Sequence, residues 1–166
     1  MVLVFATIGP DSAREAALRL AERGIGMVDA PVSGGVVGSE AGTLTFMVGG
    51  TEEAFVAARP TLEPMAGKII HCGDSGAGQA AKVCNNMLLA VQQIAVGEAF
   101  VLAEKLGLDL QRFYNIASVS SGQSWSMTSY CPVPGVGPDT PADTPPGTAA
   151  PLMAPPAGSR PRSAAG

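Results

Sequence analysis

Charged and aromatic residues are scarce in this 166-residue sequence, at 14% and 5% of the residues. The formal net charge of −4 gives no basic patch of the kind that binds nucleic acids. No apolar run is expected to be long enough to span a bilayer, and the N-terminus lacks the basic region of a signal peptide. With 46% hydrophobic residues, the chain still has enough apolar side chains for the core of an ordinary domain.

Cysteine and histidine are also scarce. Cys72, Cys84 and Cys131 have no metal-ligand spacing, so no metal centre is expected, and their odd number argues against a disulfide framework. Free thiols favour a reducing compartment, which would be the cytoplasm, or the mitochondrial matrix in a eukaryotic source. The single histidine, His71, lies near the end of a predicted strand without a catalytic partner, so we predict a structural role for it.

Apolar runs and turn residues predict alternating strands and helices through the first 76 residues. Strands are predicted at residues 1–5, 27–30, 43–48 and 69–71, and helices at residues 10–23 and 52–58. Gly24 suits the end of the first helix, and Pro60 the end of the second. Strands that alternate with helices are typical of an α/β fold with parallel strands.

The periodicity changes to that of one long helix from about residue 78 to residue 106. Five apolar residues recur at helical spacing and are predicted to form its buried stripe: Val83, Met87, Ala90, Ile94 and Val101. Gly107 ends this helix, and another helix is predicted over residues 110–118.

Proline dominates the C-terminal segment. Residues 131–166 contain ten of the 14 prolines and no aromatic residue. Such a segment cannot bury enough apolar surface to offset its chain entropy, so we predict disorder. Pro138 and Pro141 leave open an alternative, a P-x-x-P docking ligand, which the acidic neighbours Asp139 and Asp143 disfavour.

A lysine and an asparagine one helical turn apart form the most informative local pattern. Small residues open the segment at residues 76–81, and Lys82 and Asn86 follow as an i and i+4 pair on one helix face. A lysine held against a dry pocket has a lowered pKa and can exchange protons near neutrality. For this pattern alone, a solvated lysine on a polar helix face is the alternative.

Several separated motifs, taken with this pattern, resemble the β-hydroxyacid dehydrogenases. They are Asp29-Ala30-Pro31-Val32-Ser33-Gly34-Gly35, the segments from Gly42 to Gly50 and from Ser120 to Trp125, and the segment from Pro132 to Val136. The similarity covers roughly residues 5–137. Long motifs in the same order are a far more specific signal than one glycine pattern.

The resemblance implies a fold class and a domain division. The expected fold is α/β, with the C-terminal part of a Rossmann-like domain at residues 1–76, the start of an all-helical domain at residues 77–130 and the disordered tail at residues 131–166. The G-x-G-x-x-G turn of that family is missing, because Gly24-Ile25-Gly26 has Asp29 where the third glycine would fall. We therefore interpret Gly24-Ile25-Gly26 as an ordinary turn and the chain as a truncated fragment.

The resemblance also implies a reaction and its residues. The reaction would be the reversible oxidation of 3-hydroxyisobutyrate to methylmalonate semialdehyde with NAD, by a homo-oligomer that binds neither nucleic acid nor membrane. Lys82 would move the hydroxyl proton, Asn86 would hydrogen-bond the substrate, and Ser33-Gly34-Gly35 would hold its carboxylate. Thr7 would contact the cofactor. Asp29 is expected to order the loop that follows it.

The missing dinucleotide turn leaves a second hypothesis open. The chain could be a catalytically inactive remnant that keeps a substrate-binding or dimerisation surface. Retained cofactor binding would favour the enzyme, and partner binding without cofactor binding would favour the remnant.

Overall fold

A computed structural model describes residues 1–138 and contains a five-stranded sheet, with helices between its strands and three more helices after them. The strands are β1 Val2–Val4, β2 Met27–Asp29, β3 Val32–Ser33, β4 Leu44–Gly49 and β5 Ala66–Gly73. The helices are α1 Pro10–Ala21, α2 Gly35–Glu40, α3 Glu52–Leu62, α4 Ala77–Lys105, α5 Leu110–Ala117 and α6 Trp125–Thr128. The predicted α/β class, a Rossmann-like part followed by helices, is confirmed.

The sheet mixes parallel and antiparallel pairs. β1 runs parallel to β2 and β4 runs parallel to β5, whereas β3 is antiparallel to β4. β2 and β4 meet at a single antiparallel pair, Asp29 opposite Gly49. Since both residues end their strands, the carboxyl ends of β2 and β4 lie side by side at this point.

Local sequence explains where the helices between the strands begin and end. Gly24 adopts φ +67 in the turn after α1, and Ile25 and Gly26 lead from this turn into β2. The Thr51 hydroxyl accepts a hydrogen bond of 3.2 Å from the Ala54 backbone N–H and so caps α3. α3 does not end near Pro60 as predicted but continues to Leu62, because the fully buried Leu62 packs its last turn into the core.

The chain divides into two compact units, Met1–Ala90 and a second that begins at Val91. The domain prediction places a boundary after residue 76, and that assignment stays a prediction. The first unit has one apolar core between the sheet and α3, formed by Val28, Ala30, Leu44, Phe46, Val48, Ala58 and Leu62. Strands β2 and β4, whose ends meet at Asp29 and Gly49, therefore contribute to the core of this unit.

Helix α4 exposes the stripe that the sequence predicts to be buried. Val83, Met87, Ala90, Ile94 and Val101 are all exposed, with Met87 at 62% and Ile94 at 66%. The residues of α4 in the second unit that are buried are instead Val96, Phe100 and Ala103. The predicted burial is therefore wrong, because apolar periodicity shows which helix face can be buried but not whether a neighbour covers it.

By length and composition alone, α4 is also the one helix among residues 1–138 that could cross a membrane. The expectation that no apolar run is long enough is therefore wrong by this measure. Only 17% of its most apolar window is buried. A single helix of this kind is weak evidence for a membrane span, because core helices of soluble proteins can be equally long and apolar.

The second unit has its own small core, built from α4, α5, α6 and the segment after them. Phe100 meets Phe113 edge-to-face at a ring distance of 5.1 Å, and Cys131 is 1% exposed in the same cluster. Val133 and Val136 pack against this cluster, so the predicted disorder does not hold for residues 131–138. The rest of the predicted tail, residues 139–166, lies outside the described residues.

Truncation of Leu62 tests the core of the first unit. Because Leu62 is fully buried, we expect Leu62→Ala to lower the free energy of unfolding by about 2–5 kcal/mol through lost burial and a residual cavity. The matched control is Leu18→Ala on α1, where the side chain is 70% exposed and the change should stay within about 0.5 kcal/mol. Urea denaturation measures both, and equal losses for the two variants would contradict the described core.

Candidate active site

A buried carboxylate joins the end of β2 to the beginning of α4. Asp29 is 1% exposed, and its two oxygens accept hydrogen bonds from the backbone N–H groups of Gly76, at 2.7 Å, and Gln79, at 2.8 Å. The first N–H groups of a helix have no partner within the helix, and an anion there is further stabilised by the helix dipole. Asp29 thus caps α4 from the sheet, whereas we expected it to order the loop that follows it.

Glycines let the start of α4 approach the sheet closely. A Cβ on Gly49 would lie 2.6 Å from an Asp29 carboxylate oxygen and 2.7 Å from the Gly78 nitrogen. A Cβ on Gly78 would collide with the backbone oxygens of Met47 and Asp29. Larger residues at these two positions would push the helix away from the strand ends.

Lys82 follows one turn after this anchor. Its Nζ donates a hydrogen bond of 2.7 Å to the Val32 carbonyl oxygen, and the side chain is half-buried. Burial lowers the pKa of Lys82, because removing water from the ammonium destabilises its charged form. The predicted proton-exchanging lysine thus lies beside β3, the strand that ends at Ser33.

The predicted carboxylate loop begins at that strand end. Ser33 is half-buried, while Gly34 and Gly35 are exposed and have φ values of +137 and +61. These backbone conformations favour glycine, and the missing side chains leave the backbone N–H groups open to a ligand. The Lys82–Val32 hydrogen bond therefore brings Lys82 next to a hydroxyl and a glycine-rich backbone, which together could bind an anionic substrate and accept a proton.

The two other predicted site residues, Asn86 and Thr7, are both exposed. Asn86 lies one turn beyond Lys82 on α4, is exposed, and has no side-chain hydrogen bond within residues 1–138. Thr7 is exposed in the loop between β1 and α1. Their roles, like those of Lys82 and the Ser33-Gly34-Gly35 loop, stay predictions.

One buried residue of the site was missed by the sequence analysis. The Gln79 side chain is 0% exposed and accepts hydrogen bonds from the backbone N–H groups of Ile8, at 3.0 Å, and Gly9, at 3.3 Å. It also donates a hydrogen bond of 2.9 Å to the Ala6 carbonyl. The only sequence signal is a carboxamide among small residues one turn before Lys82, which does not predict such distant partners.

His71 makes contacts that agree with a structural role. Its Nδ1 lies 3.0 Å from a Glu52 carboxylate oxygen, its Nε2 lies 2.8 Å from the Gly50 carbonyl oxygen, and its ring stacks on Phe55 at 4.6 Å. Cys72 follows it on β5, and burial raises the pKa of that thiol. Within residues 1–138, no cluster of three or more metal-binding side chains is present.

Two family models match the chain in succession. Residues 1–73 match the NAD-binding domain of 6-phosphogluconate dehydrogenase. Residues 76–153 match a model described as NAD-binding of NADP-dependent 3-hydroxyisobutyrate dehydrogenase. The change from one model to the next falls just before α4.

Individual relatives agree with these models. A probable 3-hydroxyisobutyrate dehydrogenase of Mycobacterium tuberculosis is 57% identical over 149 residues, which are 89% of this chain and 51% of that protein. An NAD-dependent L-serine dehydrogenase of Pseudomonas aeruginosa is 51% identical over 142 residues, 86% of this chain and 48% of that protein. The solved structure of Mycobacterium tuberculosis 3-hydroxyisobutyrate dehydrogenase with L-serine superposes with a TM-score of 0.80 at 56% identity, covering 86% of this chain and 49% of that one.

These matches establish the family. The chain belongs to the β-hydroxyacid dehydrogenase family, as the sequence motifs predicted. It spans about half the length of the curated relatives that it matches.

The Asp29 anchor can be tested by removing its charge without changing its shape. Asparagine keeps one acceptor but turns an NH₂ group toward the other backbone N–H, so we expect Asp29→Asn to lower the free energy of unfolding by about 1.5–3 kcal/mol. Asp11→Asn is the control, because Asp11 is 98% exposed and its ion pair with Arg14 is worth about 0.2–1 kcal/mol. If chemical denaturation shows the same small loss for both, Asp29 does not anchor the helix.

The lowered pKa of Lys82 can be measured directly by NMR of the chain with ¹³C-labelled lysine. We expect the Lys82 signal, assigned through its absence in Lys82→Arg, to titrate below about 10.4, the ordinary value for lysine. Because the unfolded chain then binds more protons between the folded and unfolded pKa values, stability should rise with pH in that window. A midpoint at or above the ordinary value would contradict the burial of this amine.

Proposed function

We propose that this chain carries the proton-transfer and substrate-binding residues of a nicotinamide-dependent dehydrogenase that interconverts 3-hydroxyisobutyrate and methylmalonate semialdehyde. The observation that supports this proposal best is the position of Lys82, whose half-buried amine is hydrogen-bonded to Val32 beside Ser33-Gly34-Gly35. A proton-exchanging group next to an anion-binding loop is what the oxidation of a hydroxy acid needs. Family membership agrees with this chemistry.

Lys82 manages the hydroxyl proton in this mechanism. Oxidation of the alcohol to the semialdehyde releases that proton, and only the neutral amine can accept it. Burial lowers the pKa of Lys82 and so increases the fraction of neutral amine at a given pH. In the reverse reaction the same group returns the proton to the developing alkoxide.

The Ser33-Gly34-Gly35 loop holds the substrate carboxylate. The Ser33 hydroxyl and the backbone N–H groups of the glycines donate hydrogen bonds to it, and the absence of side chains allows a close approach. Asn86, on the same helix face as Lys82 and without a partner within residues 1–138, hydrogen-bonds the substrate and keeps it in line with the lysine.

The cofactor proposed is NAD, which when bound supplies the acceptor for the hydride from the carbon that carries the hydroxyl. Thr7 contacts it from the loop after β1, at the strand end where open α/β sheets bind their ligands. Residues 1–138 contain no G-x-G-x-x-G turn for a pyrophosphate, so they fit contact with only part of a dinucleotide. Titration with NAD and with NADP distinguishes the two cofactors.

We also propose a cytoplasmic homo-oligomer that binds neither nucleic acid nor membrane, or a matrix protein in a eukaryotic source. Self-association is favoured by the exposed apolar side chains of α4, among them Met87 and Ile94, because large exposed apolar patches tend to be covered by a partner. Sedimentation of the purified chain over a range of concentrations tests the oligomer.

L-serine is a second candidate substrate. One relative is named an NAD-dependent L-serine dehydrogenase, and one matching structure was solved with L-serine. L-serine and 3-hydroxyisobutyrate share the hydroxymethyl and carboxylate groups and differ at the middle carbon, where one carries an ammonium and the other a methyl group. The roles given to Lys82 and to the Ser33-Gly34-Gly35 loop would serve both, so kcat/KM for each substrate decides between them.

Cofactor binding and turnover test the proposed function. We expect NADH fluorescence to report binding to the wild-type chain. Lys82→Ala should lower kcat for 3-hydroxyisobutyrate by about 10²–10⁴-fold, because it removes the proton acceptor, while leaving the NADH affinity nearly unchanged. Lys105→Ala is the matched control, since Lys105 is an exposed lysine at the end of the same helix.

The same experiment separates the enzyme from the alternative, an inactive remnant that binds substrate or a partner. Turnover that depends on Lys82 but not on Lys105 supports the enzyme. A wild-type chain that binds no NADH at millimolar concentration, or that turns over equally well without Lys82, would refute the proposed function for this chain.

A further inference from the structure

We propose that Gln79 is a positioning residue, which fixes the loop that contains Thr7 relative to α4, the helix that carries Lys82. This inference rests on the proposed function, in which Thr7 contacts the cofactor and Lys82 moves the substrate proton. The two groups come from segments more than 70 residues apart in the sequence. Gln79 is the residue that connects those segments.

The side chain of Gln79 is buried, and both its oxygen and its nitrogen are hydrogen-bonded. Its Oε1 accepts hydrogen bonds from the backbone N–H groups of Ile8 and Gly9, and its Nε2 donates one to the Ala6 carbonyl. These three groups flank Thr7 on both sides. Because the side chain is 0% exposed, water does not compete for these hydrogen bonds.

The backbone of Gln79 is held as firmly as its side chain. Its N–H donates to the Asp29 carboxylate at 2.8 Å, so the residue is bound at once to the end of β2 and to the loop after β1. Lys82 follows three residues later on the same helix, and its Nζ reaches the Val32 carbonyl. A shift of Gln79 would therefore change the position of Thr7 relative to Lys82.

The loop has few other means of keeping this shape. Thr7 is exposed and Ile8 is 40% exposed, so little apolar burial holds the segment between Phe5 and Gly9. Phe5 itself meets Phe46 edge-to-face at 5.8 Å, which secures the beginning of the loop but not Thr7. The carboxamide is thus the main restraint on the part of the loop that carries Thr7.

The pattern of donors and acceptors requires a carboxamide of this length. Two N–H groups need an acceptor and one carbonyl needs a donor, and an amide offers both. Gln79→Glu keeps the acceptor for Ile8 and Gly9 but replaces the donor to Ala6 by a second acceptor, which repels the carbonyl oxygen. Gln79→Met keeps a similar length and loses all three hydrogen bonds.

Amide hydrogen exchange measured by ¹⁵N NMR tests the positioning role without any need for activity. In the wild-type chain we expect the Ile8 and Gly9 amides to be protected. Relative to the Val28 and Val48 amides of the core, their exchange should become at least about tenfold faster in Gln79→Met, and it should also become faster in Gln79→Glu, where a buried carboxylate oxygen faces the Ala6 carbonyl. The control is Gln92→Met, a half-buried glutamine of the same helix, which should leave both amides protected.

A measurement of NADH binding tests whether the loop position matters for the cofactor. If the wild-type chain binds NADH, Gln79→Met should weaken that binding by about tenfold or more, and the control Gln92→Met should leave it nearly unchanged. A purely structural role would instead speed exchange at all amides together, the Val28 and Val48 amides included.

The outcomes distinguish this inference from the proposed function. Unprotected Ile8 and Gly9 amides in the wild-type chain would overturn the positioning role even if the variants do not fold. Local loss of protection with unchanged NADH affinity would overturn its connection to the cofactor. A wild-type chain that binds no NADH, yet shows the expected local exchange, would refute the proposed function and leave the loop restraint supported.

Discussion

The site depends on one buried interaction, the pair of hydrogen bonds from the Asp29 carboxylate to the first backbone N–H groups of α4. An unpaired buried carboxylate would be strongly unfavourable, and so would the unpaired N–H groups of a buried helix start. Each satisfies the other, and the helix dipole adds to the attraction. Gly49 and Gly78 make the contact possible because neither carries a side chain where the helix meets the strand ends. This contact fixes the start of α4 relative to the sheet, and it thereby sets the position of Lys82 beside β3.

Burial does two different things at this site. Around Asp29 and Gln79 it strengthens hydrogen bonds that are fully paired, so these residues fix geometry. Around Lys82 it is partial, and it lowers the pKa of the amine while leaving the group accessible to a substrate. A rigid frame under a titratable and reachable group is the arrangement that proton transfer requires. The neighbouring Gly34 and Gly35 stay exposed, which suits a loop that must receive a carboxylate.

Much of this could be predicted from sequence, for identifiable reasons. Four of the five strands, the turn at Gly24 and the limits of α4 follow from local periodicity and glycine chemistry, and the family follows from long motifs, whereas the two-residue strand β3 was not predicted. The Asp29 and Gln79 contacts join positions 47 to 73 residues apart, so no local pattern could predict them. The stripe of Met87 and Ile94 was misjudged for a related reason, since its burial depends on what lies against the helix. The order of residues 131–138 was missed because average composition hides a few apolar residues at the start of a proline-rich segment.

Native-state hydrogen exchange at the Gly76 and Gln79 amides tests the central claim most directly. If the Asp29 carboxylate anchors α4 to the sheet, these two amides should exchange only through global unfolding, with the same free energy of opening as the β4 amides of Phe46 and Val48. Exchange faster than the β4 amides by about 100-fold or more would show that the helix start opens on its own. In that case Asp29 could not set the position of Lys82, and the account of the site would be wrong.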